Sequence, residues 1–354
     1  MVGDSLSAGV PCLLEHNACR KFFVPGKAQK TLTLSALQVF DCHLPERAQP
    51  VITRPQNPSA LTLLFSMKGS IIPAIWRKVL FTVLISSAVV AIHGTFFSFK
   101  FILTATPFTL WGLTLAIFLG FRNTVAYQRY WEARTLWGEL LIVSRNLTRQ
   151  TLSLLPALGA APRKALASGL VGFAYLLKYQ LRGEKPDAAV LARPGVDAQR
   201  LANKQNPASA QLGELGRQYL EAARQAQASD VAQMNIDQQL TRLSYVLGGC
   251  ERIKGTPIPY PYILLLHRTV HVYCFLLPFC LVDSIGWFTP LAVCILAYTF
   301  FGLDALGDQI SDPFDTQPND LPLDAMCRNL EIAVLELLDE PAPQALEPVN
   351  GVLL

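Results

Sequence analysis

Charge is scarce in this chain. Only 16% of its 354 residues are Asp, Glu, Lys or Arg, where an ordinary soluble domain has about a quarter. With 51% hydrophobic residues and a mean hydropathy of +0.31, the shortage points to lipid. The net charge of +4 is too small to argue for a nucleic-acid partner, and none is expected. Phosphate loops of the G-x-G-x-x-G and G-x-x-x-x-G-K-[ST] kinds are missing, which removes the usual nucleotide cradles. The eight cysteines never form C-x-x-C, so zinc-site spacing is absent and neither a metal nor a cofactor is expected. No Ser or Cys sits in a nucleophile elbow, and no paired general acid and base assembles. The pattern argues against an enzyme. The N-terminus lacks the ordered basic, apolar and cleavage regions of a signal peptide.

Long apolar runs are what the chain does have. Four segments read as membrane spans: Val79–Phe99, about 106–121 with Pro107–Phe121 as its apolar part, Ile263–Val282 and Trp287–Leu303. A span needs about 20 mostly apolar residues. The second is short by that measure, and the third carries His267, Arg268 and His271 in its first turns. Spans that face a bundle or an aqueous path look like this.

Basic residues set the orientation. Of the 30, nine precede Val79 and 17 lie between Val125 and Tyr262, whereas the connection between the first two spans holds Lys100 alone. Positive charge marks the cytoplasmic side. Four spans with both termini inside follow, in contact with membrane lipid.

The chain divides accordingly. Residues 1–50 show no periodicity and are expected to be disordered. Residues 51–124 hold an N-terminal segment and the first two spans, and 263–303 the last two. Between them, 125–262 has helical spacing at Leu136, Leu140, Val143 and Leu147, a second helical stretch over Ala165–Leu181, a polar connection over Pro186–Pro207, and a long amphipathic helix or helix pair over Leu212–Gly248. This inner region is long enough to bury a core. Residues 304–354 carry eleven acidic residues and a single Arg; this segment is expected either to pack on the basic inner region or to stay solvated, the latter mainly beyond Pro341.

Two motifs need weighing. HRTVH at 267–271 puts two His on one helix face, as in zinc peptidases, but Arg268 stands where those need Glu. A polar face at the membrane entry is the better reading. On the second span, Leu113, Ile117 and Phe121 recur at i, i+4 and i+8, a nearly axial row about 12 Å long at ~1.5 Å per residue. Gly112 and Gly120 beside it permit close helix approach. Any apolar span offers such rows, so spacing alone assigns no role.

The block FLGFRNTVAYQRYWEARTLWGEL, which contains Arg129, Trp131, Glu132, Arg134 and Trp137, resembles the signature of the bestrophin family in its prokaryotic branch. RPQNPSALTLLFSMKGSIIP before it, and ERIKGTPIPYPYILLLHRTVHVYCFLLPF and DALGDQISDPFDTQPNDLPLDAMCRNLE after it, keep the family's order. The resemblance runs from about Val51 to Glu340. It implies an all-α integral membrane protein, four transmembrane helices continuous with a cytosolic helical domain, assembled as a homopentameric ion channel around a central pore. The second span lines that pore. Leu113, Ile117 and Phe121 match three apolar neck rings, and Ile258, held between Pro257 and Pro259, matches a cytosolic aperture. Apolar rings disfavour a water column and can gate by dewetting, and two prolines restrict the turn around Ile258. The signature residues are read as structural, with Glu132 and Arg134 pairing to neighbours or to an adjacent subunit.

Animal members hold calcium with a dense acidic run after the fourth span. Here that place keeps only Asp312, Asp315 and Asp320, too few for the six to eight oxygens calcium takes. The permeant ions implied are small and monovalent, chloride-like anions first. Cation conduction (sodium or potassium) and a non-conducting scaffold stand as alternatives.

Overall fold

The computed structural model describes residues 51–52, 69–92, 95–96, 99–100, 105–202, 204–317, 319–347 and 352–353. The expected disorder of residues 1–50 and the block before Gly69 lie outside them. Two short antiparallel pairs are present: β1 (Val51–Ile52) with β4 (Val352–Leu353), and β2 (Thr95–Phe96) with β3 (Phe99–Lys100). The other described elements are helical, as the resemblance implies.

α1 spans Ile72–Ala91. The span expected over Val79–Phe99 is thereby shifted and corrected. Pro73 in the first turn has no amide hydrogen to lose, so it starts a helix readily, and the segment after Ala91 folds back as the β2–β3 hairpin. Hydropathy located the greasy run but not its helical part.

α2 runs from Ala105 to Leu154, 50 residues without a break. At about 1.5 Å per residue it is roughly 75 Å long, more than twice the ~30 Å hydrocarbon layer. Its buried stripe changes partners along its length. Phe108, Leu115 and Leu119 join one core with Ile75, Leu266, Val270, Leu277, Val293 and Ala297. Leu136, Leu140, Val143 and Leu147 join a second core.

That second core is the inner domain: α3 (Ala160–Arg182), α6 (Pro207–Gln225), α7 (Asp230–Gly255) and α10 (Leu323–Glu336), with single-turn helices α4 (Ala188–Leu191) and α5 (Ala198–Leu201) in the polar connection. The expected amphipathic stretch is therefore a helix pair. Asn206 and Ser229 cap its two members by accepting from the Ser209 and Ala232 amides, which is the chemistry these residues favour at an N-cap. The acidic segment packs through α10: Lys178 and Arg182 both bond Asp324 at 2.7 Å, and Arg193 bonds Glu331 at 2.6 Å. Burial disfavours charge on Asp324, but the bonds from Lys178 and Arg182 win and hold its carboxyl below the ordinary range. Past Pro341 the chain is irregular and largely exposed up to residue 347.

α8 (Tyr260–Ile285) and α9 (Thr289–Ser311) are joined by a 3-10 turn, Gly286–Phe288. Gly286 has φ 50°, a left-handed conformation that glycine adopts without a Cβ clash. Among the described residues, three helical stretches are long and apolar enough to cross a membrane: Ile72–Ala91, Thr106–Leu154 and Tyr260–Ser311. The last comprises α8 and α9 on either side of the Gly286 turn.

Candidate functional site

Along the membrane half of α2, one face is committed and the other free. Leu115 and Leu119 are buried, while Leu113, Ile117 and Phe121 are 59%, 48% and 62% exposed in the single chain. The row expected from spacing is thus a continuous uncovered apolar face. Gly112 lies on the packed side, where an added Cβ would meet the Tyr273 hydroxyl at 2.6 Å. Gly120 has no neighbour within 4 Å at that position, so close packing is required at the first glycine and not at the second.

Directly below Phe121 the buried stripe switches from leucine to a cation. Arg122 is 1% exposed and reaches α9. Nη1 donates to Asp304 Oδ1 at 2.7 Å, and Nη2 donates to Asp308. Nη1 also lies 3.3 Å from the Asp304 carbonyl. Nδ1 of His267, from α8, bonds Asp304 Oδ2 at 2.8 Å. The next residue, Asn123, donates to the Leu303 carbonyl. Three helices are therefore tied at one level, between the two cores. Sequence reasoning read HRTVH as a polar entry face and missed this cluster, because its members lie 37 and 182 positions apart. The only hint was an uncommon set of charges at span ends. Ligand atoms of His267, Asp304 and Asp308 converge within 4.8 Å, but the guanidinium already engages both carboxylates.

Two turns further along α2, Arg129 closes the ends of two helices. Its guanidinium donates to the Ile253 and Thr256 carbonyls at the end of α7, at 2.7 and 2.6 Å, and to Ser311 at the end of α9, at 3.1 Å. A cation suits the negative end of a helix. These bonds fix the entry to the Thr256–Pro259 turn. Ile258 in that turn is 8% exposed, whereas Thr256, Pro257, Pro259 and Tyr260 are exposed. The two prolines restrict the backbone of that turn, and the Ile258 side chain is mostly packed within its own chain, where burying an isoleucine gains about 2 kcal/mol.

The other signature residues separate by environment. Trp137 is buried in the inner core, and Trp131 is exposed and stacked on Tyr127 at 6.5 Å. Glu132 pairs with Arg252 of α7, within its own chain. Arg134 is exposed and forms no ion pair among the described residues.

In the loop after α9, Asp312 Oδ2 takes Lys254 Nζ at 2.8 Å. Asp320 is buried, and one of its oxygens accepts the Gln317 amide at 2.6 Å. Burial pushes its carboxyl up to about 7, with further push from Asp315 and Asp312. Of the three acidic residues there, one is neutralised by a lysine and one takes a proton near neutral pH.

Comparison with known proteins gives this arrangement its class. The profile of the family described as Bacterial/Fungal Bestrophin protein matches residues 51–336. A voltage-dependent anion channel-forming protein of Mesorhizobium japonicum is 42% identical over 306 residues, covering 86% of this chain and 97% of that protein. The voltage-dependent anion channel-forming protein YneE of Escherichia coli is 40% identical over 292 residues, covering 82% and 95%. A crystal structure of a bacterial bestrophin homolog from Klebsiella pneumoniae superposes with a TM-score of 0.71 at 38% identity, covering 75% of this chain and 99% of that one. These matches define a helical membrane protein of the ion-channel class. The chain is a member of the bestrophin family.

Proposed function

We propose that this chain forms a homopentameric channel that passes small monovalent anions, chloride among them, through a neck made by five copies of α2. One observation carries the reading: Leu113, Ile117 and Phe121 form an uncovered apolar row on a helix whose opposite face is fully packed. Such a row needs lipid, another copy or a pore beside it. On α2 it sits at the head of a charged helix entering the inner domain. A ring of copies would bring the rows together as a narrow apolar passage, suited to gating by dewetting. Below it, the Thr256–Pro259 turn is the proposed aperture, with Pro257, Pro259 and the small exposed part of Ile258 lining it. The protein crosses the bacterial inner membrane four times, through α1, the first half of α2, α8 and α9, with both termini in the cytoplasm.

Anions are favoured by the names of the relatives and by charge placement. Acidic groups of α10 are paired to α3, as Asp324 with Lys178 and Arg182. Arg134, Arg145 and Arg149 of α2 are exposed and make no ion pair among the described residues. Calcium regulation of the animal kind is not part of the proposal, since Asp312 is engaged by Lys254 and Asp320 is buried. Purified protein in a planar bilayer under a salt gradient tests the ion sign. The reversal potential should move toward that of chloride; a shift toward the cation potential would establish the cation alternative. Micromolar calcium should leave the currents unchanged, and activation by it would count against this account of the loop.

A further inference from the structure

We infer that the groove between α1 and α8 binds one anionic phospholipid of the inner leaflet, with the phosphate at Lys78 and an acyl chain along the apolar wall. The inference rests on the proposed membrane orientation and on nothing in the conduction pathway.

The bundle decides which helix meets lipid. α1 packs on α8 and α9, and those two pack in turn on α2. α1 therefore lies across the bundle from the helix proposed to line the pore. Trp76, Leu80, Phe81 and Leu84 of α1 are exposed, so its free face is apolar. Two grooves flank that face. The one against α9, about 530 Å³, has Val79, Val83 and Ile295 in its wall and no charged side chain. The one against α8, about 560 Å³, is as apolar along Phe81, Ile85, Phe275 and Leu276, but it also holds Lys78 and His271. The second groove combines a hydrocarbon-like wall with a cation.

That cation lacks a carboxylate. Lys78 is half-buried and makes no ion pair among the described residues; its Nζ lies 5.8 Å from the centre of the Phe301 ring. Asp304, the carboxylate whose charge reaches His271, is already taken by Arg122 and His267. Nδ1 of His271 is occupied by the His267 carbonyl at 2.7 Å. A lysine offers three donors and no acceptor, and burying a charge without a partner is costly. An anion carried on an apolar chain satisfies both parts of the groove, whereas free phosphate would leave the wall uncovered.

Depth agrees with this occupant. α9 runs on from Phe301 to Ser311 and into the loop before α10, so the Lys78 end of the groove is the end nearer the inner domain. Trp76 and Arg77 stand beside it, the guanidinium 5.5 Å from the ring centre; aromatic and basic side chains gather at headgroup level. From Lys78 to Ile85 the helix rises about 10 Å, within one leaflet of a ~30 Å hydrocarbon layer. Basic pockets between spans on the cytoplasmic side suit anionic headgroups.

Native mass spectrometry of the purified full chain in mild detergent tests this, with phosphatidylglycerol and phosphatidylcholine of matched acyl chains offered at equal concentration. Wild type should retain phosphatidylglycerol about fivefold more, the factor that one lysine adds at an anionic surface. Lys78→Gln should abolish the preference with its size-exclusion profile unchanged. Arg77→Gln, outside the groove, should keep it. Val272→Trp, on the groove wall, should lower retention of both lipids. Equal retention of the two lipids by wild type would overturn the inference, and that comparison needs no variant to fold. An unchanged preference in Lys78→Gln would overturn it too, as would an equal loss in Arg77→Gln, the mark of a general basic belt. Displacement of the lipid by inorganic phosphate would make this a plain anion site and overturn it as well. No readout here needs current, so a silent protein that keeps the preference would fail the channel reading alone.

Discussion

Single side chains at the membrane junction decide more than their number suggests. Arg122 and Arg129 sit two turns apart on α2 and bind different things: Arg122 takes carboxylates of α9, and Arg129 takes carbonyls at the ends of α7 and α9. Removing a buried charge strands its partners, at a cost of about 3–5 kcal/mol. Arg122→Leu should therefore lower the detergent-solubilised melting temperature sharply. Glu132→Gln, by contrast, breaks a half-exposed pair with Arg252 worth at most ~1 kcal/mol, and should leave melting and oligomer size nearly unchanged. An assembly defect in Glu132→Gln would show that the residue serves an adjacent subunit instead.

Asp320 gives a signed pH test. Its carboxyl is raised from 3.8 to about 7, chiefly by burial. The folded state therefore holds the proton more tightly than the unfolded chain does. Its stabilising effect is complete below about pH 4 and is lost as pH rises to about 7. Asp320→Asn should melt higher than wild type at pH 8 and show a shallower loss of stability across that window. Equal pH slopes for the two proteins would refute the assignment.

At the scale of elements, α2 is the feature that joins both halves, since one uninterrupted helix supplies a stripe to each core. Val125 is exposed between them. Val125→Pro removes a hydrogen bond and clashes with the Phe121 carbonyl, costing about 3 kcal/mol. Melting should fall by that measure although no core side chain changes; unaltered melting would mean that the continuity of α2 carries no stability.

How far these elements could be read from sequence follows from what sequence records. The passage of α2 out of the membrane was legible, because Phe121 to Leu154 contains no proline and Gly138 alone among glycines. The break between α6 and α7 was half legible: Ser229 before Asp230 is an N-cap signal, but the turn depends on Gln227 at φ 51°, which composition does not announce. The start of α1 was misread, since hydropathy weighs Arg77 and Lys78 against a helix that carries both. Leu113, Ile117 and Phe121 were legible as a row, and the fold adds that it is uncovered. The burial of Ile258 and the meeting of His267 with Asp304 were not legible, because both depend on chain folding beyond any local pattern.

For the whole molecule, two cores are strung on one helix, and the proposed pore is made by copies of that helix. The most direct test is unitary current from purified protein in a planar bilayer, compared between wild type, Ile117→Ala and Phe121→Ala. Wild type should open in discrete steps, and both truncations should raise conductance or open time, because a wider and less apolar ring holds water more readily. Silence from well-assembled wild-type protein, or truncations indistinguishable from it, would contradict the claim that α2 forms the neck of a channel.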